Sequence, residues 1–221
     1  MKFSRIRFEN RISDLSRHIP LLLYAGIALF PILLIIVNSF KDRKAIFKTP
    51  YMLPTADTFS LNGYETLFDR ANFELYFLNS FIVVTVSMFF ILFFGAMAAF
   101  ALAEYDFPGN PLLGLYLAFG IMIPIRLGTV SILRVIVTLG LTNTLTALIL
   151  VYIAQGLPMT IFILTQFMKA TPKELKDAAR IDGASEYRIF WLILPLVRPA
   201  LATVSIFTMV PIWNDLWFPL I

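Results

Sequence analysis

The chain has 221 residues, of which 59% are hydrophobic and 14% charged, with a formal net charge of +4 and no cysteine. A mean hydropathy of +0.81 lies outside the range of water-soluble domains, so the chain reads as an all-α, polytopic membrane protein. The absence of cysteine excludes disulfides and thiolate metal sites. The small net charge argues against nucleic acid as a partner, and neither a Gly-x-x-x-x-Gly-Lys loop nor a Gly-x-Ser-x-Gly elbow is present.

Residues 1–18 carry Lys2, Arg5, Arg7, Arg11 and Arg17 ahead of an apolar run over 19–40, long enough to span a bilayer. A cleaved signal peptide has a shorter core, and Val37-Asn38-Ser39-Phe40 offers no small-x-small cleavage site. An uncleaved first helix with a cytoplasmic N-terminus is therefore predicted. His18, the single histidine, reads as an interfacial residue, and Pro31 as a tolerated kink. Residues 41–78 mix both charges, with turns at Pro50 and Pro54. Within them, 60–77 has the pattern of one amphipathic surface helix, with a solvated loop as the alternative.

The second span is placed at 79–103, where Gly95, Ala99 and Ala103 recur every four residues, a spacing that lets helices pack closely. A tight connection follows at 104–110, containing Pro108-Gly109. The third span is placed at 111–126, interrupted by Pro124 and closed by Arg126, and 127–141 as a short helix at the outer surface. Arg126 and Arg134 are costly at the bilayer centre, so snorkelling to the interface is preferred over lining a polar pathway. The fourth span, 144–168, holds Gln155-Gly156 and Pro158 near its middle. That pattern fits either an opened transporter helix or, preferably, a packed helix with an internally bonded amide. The fifth span is placed at 197–217, with Trp213 and Trp217 in an aromatic belt.

Between the last two spans lies the longest charged island, 169–198. Thr171 is a suitable N-cap, Pro172 a first helical residue, and Glu174 stands where a capping box places its carboxylate. A short helix is predicted from Pro172, with Leu175, Ala178 and Ala179 sharing one face. Gly183 supplies a positive-φ turn, and a second helix runs from Ser185 to Leu194 before Pro195 ends it. Such helices either lie on lipid headgroups, with Lys173, Lys176, Arg180 and Arg188 facing phosphates, or dock another protein. Methyl side chains at Ala178 and Ala179 bury little area in acyl chains, which favours docking.

Asp177-Ala178-Ala179-Arg180-Ile181-Asp182-Gly183-Ala184, followed by Phe190 and Leu194-Pro195, resembles the EAA loop of ABC importer permeases. Asp177 stands where that motif has Glu, and the interval from Gly183 to Pro195 is one residue shorter than the family's. Arg180 to Ser185, Trp213-Asn214-Asp215 and Trp217 to Ile221 resemble the carbohydrate-importer branch, the maltose-type permeases. The resemblance implies a multi-pass bacterial inner-membrane permease whose cytoplasmic loop fits a cleft on ATP-binding subunits. It makes Glu174, Asp177, Ala178, Ala179, Asp182, Gly183 and Ala184 the ATPase-docking residues. It further implies a second homologous permease subunit, an extracytoplasmic solute-binding protein, a sugar or oligosaccharide cargo and contact with membrane lipid. ATP-Mg is expected on the partner ATPase, with no cofactor on this chain and no enzyme active site within it. No substrate-binding residue is nominated. The family also implies a sixth helix after Ile221, without which the Gly95–Ala99 surface is expected to face lipid.

Orientation follows from charge. With 1–18, 104–110 and 169–198 inside, the inner segments hold 11 basic residues and the outer ones 7. The two densest short basic segments then fall on one side, as orientation by positive charge requires. An ion-gradient-driven secondary transporter is the alternative function, but it predicts carboxylates inside the bundle, whereas those here lie in loops or near the edges.

Overall fold

A chain this apolar can satisfy its backbone in lipid only through helices or a closed barrel, and the computed structural model is helical. It describes the backbone from Lys2 to Ile221 and side chains from His18 onward, so most of the charged segment 1–18 lies outside the residues whose side chains are described. Among the described residues the only strand-like pairing is an isolated antiparallel bridge between Lys41 and Phe59. The chain divides into two compact units, Met1–Leu75 and Tyr76–Ile221.

The first unit holds α1 (Lys2–Ser39), α2 (Arg43–Lys48) and α3 (Asn62–Arg70). α1 continues through Pro20 and Pro31, and its segment His18–Ser39 is long and apolar enough to cross a membrane. Beyond it the chain folds back on itself. Lys41 is buried and donates to Asn38 Oδ1 (3.1 Å) and the Thr49 carbonyl (2.9 Å), while Asp42 caps α2 by accepting from the amides of Ala45 and Lys44. One continuous amphipathic helix over 60–77 is not what forms. α3 ends at Arg70, Asn72 takes φ +49°, and α4 (Phe73–Glu104) starts directly after it. Asparagine is among the few side chains that tolerate this left-handed conformation, so it provides the break.

The second unit is built on α4, α5 (Asn110–Met122), α6 (Thr129–Thr138), α7 (Leu145–Lys169), α8 (Lys173–Ile181), α9 (Glu186–Ile193) and α10 (Arg198–Trp213). α4 and α7 run parallel. A Cβ on Gly156 would meet Ile91, and one on Gly95 would meet Thr160, so the register rises together along both helices. α10 runs the opposite way, with Ala200 and Val204 packed among Ala96, Ala99 and Leu164, and Ile212 among Val83, Val84 and Val151. Gly95 and Ala99 therefore do not form a surface awaiting another helix. They are buried against α7 within this chain, because small residues let the two backbones close up.

The direction of α4 and α7 has a topological consequence. Both C-terminal ends lie at the end of the unit that carries 169–198, so residues 105–144 must carry the chain to the opposite end. α5 covers part of that distance. Its 13 residues rise only about 20 Å, less than a hydrocarbon core of about 30 Å. The expected third span over 111–126 is thus cut short at Met122. Pro124 forces Ile123 into extended geometry (ψ 119°), since the residue before proline is pushed out of the helical region. A 3₁₀ turn at Ile125–Gly128 and α6 complete the passage after a bend of 86°. Among the described residues, four helices meet the length and apolarity needed to cross a membrane, and this bent pair makes a fifth if counted as one span.

Candidate functional site: a charged helix clamped to the bundle

The charged island folds as a helix, a glycine turn and a second helix. α8 ends in a Schellman motif: Ala184 N–H donates to Ala179 O (2.9 Å) and Gly183 N–H to Arg180 O (3.0 Å), with Gly183 at φ +78°. The positive φ is what the position demands, and a Cβ there would meet no atom within 4 Å. α9 follows from its N-cap Ser185 and ends at Ile193, with Leu194 as C-cap ahead of Pro195. The expected capping box at Thr171 does not form. The Thr171 hydroxyl bonds back to Phe167 O, α8 begins one residue later at Lys173, and its N-cap Pro172 has no side-chain acceptor.

The seven docking candidates divide by direction. Glu174, Ala178 and Asp182 are exposed, and Asp177 is half-exposed with Oδ1 accepting from Arg180 Nη1 (3.1 Å). Ala179 and Ala184 are half-buried and pack on the core of α4, α7, α9 and α10. Asp182 is the C-cap, its amide donating to Ala178 O. Leu175, Ala178 and Ile181 thus form an outward apolar stripe, Ile181 being 86% exposed, rather than a face shared with Ala179. Tyr187 and Trp191 extend the exposed apolar surface along α9.

What holds this unit in place was not visible in the local pattern. Lys176 and Arg180, expected among the headgroup-facing cations, turn inward. Lys176 Nζ and Arg180 Nη2 each lie 2.6 Å from one oxygen of Glu104, the last residue of α4. Glu104 and Lys176 are almost fully buried at their side chains (6% and 7% exposed). Arg180 also donates to both oxygens of Glu186, and Tyr105 Oη donates to Glu186 Oε2 (2.8 Å). The sequence shows only that Lys176 and Arg180 are spaced i, i+4 on one face and that Glu104, at a helix C-terminus, opposes the helix dipole; neither feature pairs the two.

The network sets protonation. Hydrogen bonds from Arg180 and then Tyr105 outweigh partial burial and hold the Glu186 carboxyl below its ordinary range. Hydrogen bonds from Glu186 and Glu104 outweigh desolvation and push the Arg180 guanidinium up, so it remains charged. Burial first, and donation to Glu186 second, push the Tyr105 phenol up to about 12. Beneath the ions α9 is fixed by packing: Ile189, Phe190 and Ile193 are buried, and the Phe190 ring meets Phe100 edge-on at 5.6 Å.

The opposite end is tied by Asp215. It accepts from Tyr152 Oη (2.9 Å) and from the amides of Trp217 and Phe218, and Arg126 approaches at 3.7 Å while lying over the Trp217 ring. Trp217 Nε1 donates to Thr129 Oγ1 (3.0 Å), and Trp213 meets Phe77 edge-on. Trp213 and Trp217 thus sit together at this end. A cavity of about 820 Å³ opens there, lined by Tyr76, Asn79, Asn143, Tyr152, Trp213 and Asp215 among others. Nearer the middle, α7 is unbroken through Gln155-Gly156 and Pro158. Gly156 is buried where α4, α7 and α10 meet, which is the packing half of the preferred alternative, whereas Gln155 is exposed and its amide is not internally bonded among the described residues.

The fold is that of a polytopic helical membrane protein with a charged helix–turn–helix clamped to one end of its bundle. Residues 7–221 match the family model described as "Binding-protein-dependent transport system inner membrane component". Among curated relatives, the diacetylchitobiose uptake system permease protein NgcG of Streptomyces coelicolor is 36% identical over 212 residues, covering 96% of this chain and 69% of that protein. The arabinooligosaccharides transport system permease protein AraQ of Halalkalibacterium halodurans is 35% identical, covering 89% and 71%. The melibiose/raffinose/stachyose import permease protein MelC of Bacillus subtilis is 33% identical, covering 85% and 68%. A crystal structure of a bacterial ABC transporter involved in the import of the acidic polysaccharide alginate contains a chain of the same fold, with a TM-score of 0.77 at 23% identity, covering 94% of this chain and 72% of that one. The chain belongs to the binding-protein-dependent family of inner-membrane permeases, the permease subunits of ABC importers. Membership decides against the ion-gradient-driven alternative and against an enzyme.

Proposed function

We propose that this chain conducts a sugar or oligosaccharide across the inner membrane, driven by ATP-binding subunits that grip α8. The observation that carries the reading is the form of α8 itself. Its outer face offers Leu175, Ala178 and Ile181 to a partner, while its inner face is clamped to the bundle by Glu104. A surface helix lying on headgroups would need no such clamp and would turn its cations outward. The sugar class is supported by the curated relatives, whose names specify oligosaccharides.

In this reading the chain crosses the membrane five times, the α5–α6 passage being the third crossing. The N-terminus, the 104–110 connection and the 169–198 loop are cytoplasmic, as the distribution of basic residues supports. ATP-Mg binds and is hydrolysed on the partner subunits. A second, homologous permease pairs with this one, and an extracytoplasmic solute-binding protein delivers cargo at the Asp215 end. Glu174, Asp177, Ala178, Ala179, Asp182, Gly183 and Ala184 form the docking segment. Purification of the tagged permease from native membranes tests the reading directly. Co-isolation of an ATP-hydrolysing subunit that is lost when 173–184 is replaced by a Gly-Ser linker is expected. Retention of that subunit by the linker variant would overturn the docking assignment.

A further inference from the structure

We infer that Glu104 is a positioning residue that delivers displacement of the docking helix to α4, a span that is not covalently adjacent to the loop. The inference rests on the docking role proposed above. Covalently, the loop joins only α7 and α10, through Thr171-Pro172 and Pro195. Chain connectivity alone would therefore move those two helices and leave α4 to follow by side-chain friction. Glu104 supplies the missing link, since its carboxylate takes Lys176 on one oxygen and Arg180 on the other, 72 and 76 residues away.

Three features make this link stiff. Both members of the Lys176–Glu104 pair are nearly dry, and a buried charge deprived of its partner is strongly destabilised, so the pair does not open freely. The Arg180 fork also holds Asp177 and Glu186, which locks α8 to α9. A second strut joins the same places: Tyr105, next to Glu104, donates to Glu186. Along α4 the force then has a path to the other end. Ala96 and Ala99 are buried, and Gly95 and Ile91 lie directly against α7, so the helix moves as one body toward Ser87, Val84 and the cavity wall at Val83 and Asn79.

The test uses the permease assembled with its ATP-binding subunits and needs no cargo. The chain lacks cysteine, so Ser80→Cys, at the exposed far end of α4, gives one reactive thiol in this subunit. Its rate of reaction with an impermeant maleimide is measured with and without MgATP plus vanadate. With Glu104 intact, nucleotide trapping should change the rate at least fivefold. In Glu104→Gln the change should fall below twofold while ATP hydrolysis persists, and Glu104→Asp should recover part of it. An undiminished response in Glu104→Gln would overturn the inference. Should that variant fail to assemble, Arg180→Gln serves instead, because its side chain is 31% exposed and leaves Lys176 on Glu104. An intermediate response supports the link and an undiminished one refutes it. Crosslinking from Ala178 to the ATPase, run in parallel, separates the two ideas. Loss of that crosslink in the parent sinks docking, whereas a retained crosslink with an undiminished Glu104→Gln response sinks only the role of Glu104.

Discussion

Replacing Gly156 by alanine measures how closely α4, α7 and α10 pack. A Cβ there would sit 2.6 Å from Ile91 Cδ1 and 3.1 Å from Thr208 Cγ2. Ile91 is fully buried, so it has little room to turn away. Overpacking of this kind costs about 1–3 kcal/mol. Replacing glycine by alanine inside a helix returns about 1 kcal/mol of propensity. The balance is a net loss of about 1 kcal/mol. Gly114 in α5 is the control, since a Cβ there meets nothing within 4 Å and alanine should gain the propensity alone. The two variants should therefore differ by about 2 kcal/mol, or about 4–8 °C in melting temperature for a chain of this size. Thermal stability by size-exclusion fluorescence in mild detergent reads this difference. Equal melting, or a more stable Gly156→Ala, would refute the stated proximity of the three helices.

Gly183→Val should insert normally but lower ATPase co-isolation at least fivefold, because a β-branched residue is strained at φ +78° although space is open. Normal co-isolation would remove the turn from the docking mechanism. The Glu186 carboxyl is depressed in the fold, so its contribution is present above the ordinary carboxylate range and lost as pH falls through its lower folded value. Melting temperature followed from pH 6 to pH 3 should fall less in Glu186→Gln than in the parent. Tyr105 is pushed up to about 12 and stays neutral, so no loss from it is expected up to pH 9. A parent and Glu186→Gln with identical acid limbs would contradict the network.

The parts of this fold legible in sequence are those fixed by neighbours a few residues away. Apolar runs long enough to span, the Pro124 interruption and the positive φ of Gly183 all belong to that class. Where two local options competed, tertiary structure chose. Thr171 carried a capping pattern, but its hydroxyl donates back to Phe167 O at the end of α7, and α8 starts after Pro172, which has no side-chain acceptor to cap it. The 60–77 pattern was amphipathic throughout, yet Asn72 divided it between α3 and α4. Gly95 and Ala99 were correctly read as a packing seam, although the helix they meet is α7, already present in the chain. The clamp was hidden for a different reason. Glu104 and Lys176 are 72 residues apart, and no periodicity relates a helix C-terminus to a loop that distant. Reading charge alone sends Lys176 toward headgroups; only the parallel course of α4 and α7 brings Glu104 beneath it.

A photo-crosslinking amino acid at Ala178 or Ile181, on the outer stripe of α8, and at Asn143, at the opposite end of the second unit, tests the central claim most directly in intact membranes. Crosslinking of an ATP-binding subunit from Ala178 and Ile181, with none from Asn143, is the predicted result. An ATP-binding subunit captured from Asn143 and absent from both α8 positions would contradict it.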